Sequence, residues 1–187
     1  MPDIHAAPQQ AVDFLKAQRC DEIEHKAQRS LLTHLLATHA LLVAWQRHED
    51  IALAGLFHSI YGTSHFEPSC LDPTPENRSA VCGVIGPQAE RLAFLFSTMD
   101  RNTFLDNPSA RSVPSRLSPQ HLTLENGDSQ ALCDILLANQ LDHAIALKGA
   151  DRPDKIAGKI APYYDLIGGH LSQAAREAYA AATARPS

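Results

Sequence analysis

The stretch that most limits what this chain can become is SLLTHLLATHALLVAW, residues 30–45. It is apolar on nearly every side. A helix with so little polar face belongs at the centre of a fold, enclosed by other elements. Ser30 stands where an N-cap is expected. A short polar break, His-Glu-Asp at positions 48–50, leads into a second apolar run over residues 51–60, with Asp50 as its expected cap. So short a break makes the two helices antiparallel neighbours.

The remaining chain reads as further helices. Val12, Leu15 and Ile23 are spaced for a first amphipathic helix over about residues 8–28. Gly62 marks the end of the second apolar run, and residues 64–75, rich in Pro, Ser and Asp, read as loop. Pro75 after Thr74 opens a helix that stops at Gly86-Pro87. The next segment sets Leu92, Phe96 and Met99 about one turn apart. Residues 100–120 show no period and are expected to form a long loop or lid. From Asp128 or Ser129 to about Leu147 the pattern is again strongly apolar and helical, and a last amphipathic helix follows Pro153. The closing ARPS is expected to fray. His121-Leu-Thr-Leu is the one strand-like scrap. The expectation is all-α: one helical domain over residues 1–187.

A chain of 187 residues suits a single core. A net charge of −5 and scattered basic residues give no nucleic-acid footprint. No apolar run reaches the roughly 18 residues of a membrane span. MPDIHAAPQQ lacks the cationic and apolar regions of a signal peptide, so a cytoplasmic protein is expected. In that compartment Cys20, Cys70, Cys82 and Cys133, with no CxxC pair, are expected to be reduced thiols and not a zinc site. A homodimer through the first or last amphipathic helix is compatible with the pattern.

Ten histidines are present. His5, His48 and His170 stand in polar settings and are expected to be solvated. His34 lies near the start of the most apolar helix, and His58 closes the next one. In an antiparallel hairpin those ends lie side by side, so the two imidazoles converge. His39 is five residues on, about 140° round the helix, and is left as a structural residue. Asp142 follows Leu136, Leu137 and Leu141 in another apolar helix, where a carboxylate is costly without a charged or donor partner. Asp134 competes with it on the same helix. Singly, each of these residues is most simply a hydrogen-bonded core group. Together they offer two imidazoles and a carboxylate.

A histidine on one helix, a second closing an AGLFH helix about 24 residues later, and a distant helical aspartate resemble the HD-domain superfamily, an all-α bundle with metal ligands on its central helices. On that resemblance His34, His58 and Asp142 are the metal ligands. The superfamily has an adjacent His-Asp pair where this chain has His58-Ser59. Serine is a poor ligand, which moves the expectation from two metals to one ion, Fe(II) first and Mn or Zn as alternatives. The segment ANQLDHAIA followed by IAPYYDLI, residues 160–167, resembles the closing part of inositol oxygenase. The chain is also similar to an uncharacterised family marked by LFHSIYGT, in which Ser59 is a family trait. These likenesses imply a non-haem iron oxygenase acting on a small polar or anionic substrate. Ser59 and Tyr61 would stand close to the metal, and Arg78, Arg101 and Thr63 would hold the substrate. A metal-dependent phosphohydrolase of nucleotides or phosphate esters is the alternative. A metal-free ligand-binding module is the third.

Overall fold

A computed structural model of the chain describes residues 7–25, 28–66 and 68–184. His5 and all but the first residue of the ARPS tail lie outside them. The described elements run α1 (Gln9–Ala17), β1 (Glu24–His25), β2 (Arg29–Ser30), α2 (Leu31–Ala44), α3 (Glu49–Phe57), α4 (Pro75–Ile85), α5 (Pro87–Thr98), α6 (Arg101–Asp106), β3 (Ser112–Pro114), β4 (His121–Thr123), α7 (Asp128–Lys148), α8 (Pro153–Ile167) and α9 (Gln173–Thr183). The domain is mostly helical, as expected. Two small antiparallel strand pairs, β1 with β2 and β3 with β4, complete it.

The apolar run at residues 30–45 is central. Leu31, Leu35 and Leu42 of α2 are fully buried, and α2 packs on both α3 and α7. The second central helix is α7, whose residues from Ala131 to Ala144 are buried on every side. Helix α3 packs on α5, and α8 covers α7. The α2–α3 approach is closest at Gly55, where a Cβ would collide with Leu42 Cδ1. Any larger residue there would force the Leu42 side chain to move.

Local chemistry fixes the ends. Ser30 Oγ accepts from Thr33 N at 3.2 Å, and Thr74 Oγ1 from Asn77 N at 3.3 Å, with Pro75 opening the helix. The α3 cap is His48, whose Nδ1 accepts from Asp50 N at 3.3 Å, and not Asp50 itself. The first helix ends at Ala17, well short of residue 28. Arg19 takes a φ of 60°, and its N–H and that of Cys20 bond back to Lys16 and Leu15, a left-handed closure.

Two expectations need correction. Cys20 and Cys70 are joined by a disulfide, with Cα atoms 5.8 Å apart. They are 50 positions apart in sequence, so no local spacing marked the pair. Cys82 and Cys133 remain thiols; burial pushes the Cys133 thiol up to about 12. Residues 100–120, expected as a long loop, carry α6 and β3. Six residues are too few to display a helical period, but Asp100 caps α6 by accepting from Thr103 N at 2.8 Å. The strand-like scrap at His121 is β4, paired in register Val113 with Leu122. Arg116 ties the segment down by donating to the Ser97 and Tyr61 carbonyls at 2.7 and 2.8 Å. None of the described helices is long and apolar enough to cross a membrane.

Candidate metal centre

Four elements deliver histidines to one buried point. The α2–α3 hairpin brings His34 and His58 together as the antiparallel geometry requires, with their Nε2 atoms 3.2 Å apart. The β1–β2 pairing, registered His25 against Arg29, sets His25 against His34 at the start of α2. Helix α7 adds His143. The rings of His25 and His143 lie nearly flat against that of His34, with centroids 4.5 and 4.4 Å away. One ring nitrogen from each of His25, His34 and His143 lies within 4.8 Å of the other two. All three side chains are buried.

Asp142 is already engaged. It receives His34 Nδ1 at 2.5 Å and both Arg29 Nη groups, one of them at 2.9 Å. This is the way a carboxylate fixes the tautomer and direction of an imidazole ligand. On the other side, His58 Nδ1 donates to the Gly55 carbonyl at 2.6 Å. A carbonyl cannot donate, so the proton of His58 is on Nδ1 and its Nε2 lone pair points at His34. The His34 and His58 Nε2 atoms stand 3.2 Å apart, and a proton on either one makes a hydrogen bond between them. The second close pair is His25 Nε2 and His143 Nε2 at 2.8 Å. Two nitrogens bound to one ion at about 2.1 Å stand roughly 3.0–3.4 Å apart. The ring nitrogens of His25, His34 and His143, within 4.8 Å of one another, are close enough together to be candidate ligands of a metal ion. Burial, with the neighbouring His34 and Arg101 adding to it, holds His58 well below the ordinary histidine range. Neutral imidazole is the form that ligates.

Beside the cluster is a cavity of about 70 Å³, lined by the three histidines together with Ser59, Thr63, Arg101, Asn139 and Tyr163 among others. His65 lines it as well. Ser59, Thr63 and Arg101, singled out in the sequence, are thus brought to the histidines. Tyr61 and Arg78 are not. The Tyr61 hydroxyl donates to Glu90 Oε1 at 3.2 Å, and Arg78 grips the same carboxylate at 2.7 and 2.8 Å while lying over the Phe94 ring. That network faces a separate cavity of about 410 Å³ lined by Pro73, Pro75 and Cys82. Asp134 is also accounted for. It accepts from Ser172 N at 3.0 Å, stands 2.8 Å from Arg47 Nε, and so ties α7 to the start of α9. His39, also on α2, is buried and lines a different cavity with Pro8 and Val43.

Sequence reasoning missed His25 and His143. His143 had a signal, since it follows Asp142 directly on a buried helix. His25 had none: it sits in a polar segment and reaches the core only through a two-residue strand.

The chain is similar over residues 14–101 to a domain of unknown function, DUF6817. That stretch contains His25, His34, His58, Ser59 and Arg101, and stops short of Asp142 and His143. No curated protein and no solved structure gave a match.

Proposed function

We propose that the chain is a metal-dependent enzyme whose ion is held by the buried imidazoles of His25, His34 and His143. The observation behind this is the meeting of three ring nitrogens within 4.8 Å in a buried, cavity-lined position. Three protein ligands leave coordination positions open for small molecules. Asp142 then orients His34, and His58 stands ready as a further ligand or as a neutral acceptor beside the ion. Fe(II) is the first choice, giving a non-haem oxygenase of the HD type that acts on a small polar or anionic substrate. Mn and Zn suit the same donors.

A second possibility is hydrolysis of a phosphate ester. It is favoured by the engagement of Asp142 with Arg29 and His34, which leaves an all-imidazole donor set. Neutral ligands preserve the full charge of a divalent ion, which then acidifies a bound water. In both cases the partner is a small molecule. The cytoplasmic placement expected from the sequence stands against the Cys20–Cys70 bond, because structural disulfides persist mainly in oxidising surroundings.

The test is elemental analysis of freshly isolated protein and of protein loaded anaerobically with Fe(II). About one ion per chain is expected, with His34→Ala and His143→Ala each losing most of it. Full metal content in both variants refutes the proposal, as does a metal-free protein whose melting temperature ignores EDTA. Oxygen uptake separates the oxygenase from the hydrolase, which would instead release phosphate from an ester panel.

A further inference from the structure

Arg101 is the anomaly of the molecule. It is 4% exposed, forms no ion pair among the described residues, and its Nε and Nη2 have no hydrogen-bond partner. Its guanidinium lies over the Phe96 ring, with Cζ 4.7 Å from the centroid. It lines the cavity beside the histidines. Asn139, also 4% exposed and in the same cavity, has a buried side-chain oxygen with no donor. Buried polar groups are nearly always satisfied, and an arginine without a counter-ion is the rarest exception. Both residues line the same cavity. One asks for a planar anion and the other for a hydrogen-bond donor.

The same protein shows what such an edge binds. Arg78 uses its Nε and Nη2 to hold both oxygens of Glu90, at 2.7 and 2.8 Å. A carboxylate matches that two-pronged edge in spacing and plane. On the premise that this cavity is where the reaction takes place, we infer that the substrate is a small carboxylic acid. Its carboxylate is received by Arg101, and a hydroxyl or amine on it donates to Asn139. The cavity, about 70 Å³, suits a group of only a few heavy atoms; one water takes about 30 Å³ of the liquid.

The experiment is thermal unfolding of the full chain in chloride buffer, titrated with glycolate, acetate or inorganic phosphate, once as metal-loaded protein and once after EDTA. Metal content is measured on the same samples. Glycolate at about ten times its Kd is expected to raise the melting temperature of the wild type by roughly 3–6 °C. Arg101→Met should abolish the rise, and Arg101→Lys should weaken it, since an ammonium lacks the fork. Acetate should do less than glycolate, and that difference should vanish in Asn139→Leu. No rise in metal-replete wild type overturns the inference and leaves the metal centre standing. A rise that survives in Arg101→Met, or an equal rise with phosphate, overturns it as well. An Arg101-dependent glycolate rise in protein that binds no metal supports the carboxylate site while refuting the metal centre.

Discussion

Replacing Arg101 by methionine should make this protein more stable, which is the reverse of what removing a structural arginine does. Burial pushes the guanidinium from the ordinary arginine value down to about 10. A fall of roughly two and a half pH units corresponds to about 3 kcal/mol at about 1.36 kcal/mol per unit. The shift is downward for a base, so the cost is fully present below pH 10 and is relieved only above it. The whole working range therefore carries it. Methionine removes the charge and the two unmet N–H groups while filling similar space. It also forfeits the contact with the Phe96 ring, worth about 1–2 kcal/mol for a desolvated cation. The net gain is about 1–2 kcal/mol, which for a chain of this size is a rise of roughly 3–6 °C. The assay is calorimetry of wild type and Arg101→Met in chloride buffer free of carboxylates. Removing one member of a buried pair costs about 3–5 kcal/mol. A melting temperature lowered by several degrees would show that Arg101 has a structural partner and that its cavity edge is not idle.

Three further outcomes follow from the packing. Gly55→Ala should destabilise by about 1–3 kcal/mol in urea titration, because its methyl would occupy the space of Leu42 at the α2–α3 crossing; an unchanged midpoint would mean the helices separate freely. Cys20→Ser should cost up to about 4 kcal/mol, the chain-entropy value for a loop of 50 residues, and alkylation of the native protein should label Cys82 well before buried Cys133. Burial, outweighing the bond from Ser172 and the charge of Arg47, holds the Asp134 carboxyl above the ordinary 3.8. An acid raised in this way stabilises the fold below its unfolded pKa and loses that contribution as pH climbs through the folded value. The melting temperature of Asp134→Asn relative to wild type should therefore climb as the pH is raised above the ordinary carboxylate range. A difference flat in pH would refute it.

What the sequence disclosed was whatever depended on local pattern. The all-round apolarity of residues 30–45 placed α2 at the centre, and the short break before Glu49 was enough to bring His34 to His58. Ser30, Thr74 and Gly86-Pro87 marked helix boundaries because capping is a matter of a few adjacent residues. Contacts made by long-range closure left no such trace. His25 arrives through two residues of strand, Cys20 finds Cys70 across 50 positions, and Asp142 meets Arg29 across 113. The role of Asp142 also lay beyond pattern. A buried acid needs a partner, and the spacing could not say that Arg29 and His34 already satisfy it.

The sequence separations inside the histidine cluster carry a consequence for folding. His34 and His58 are 24 positions apart and can meet within one hairpin, but His25 and His143 are separated by 118. Closing that span is among the costliest contacts a chain of this length makes. The imidazole trio therefore depends on the packing of α7 against α2. A truncated chain ending near residue 101 keeps His25, His34 and His58 yet lacks the third wall of the site. Whatever the finished cluster captures is bound by native topology as a whole.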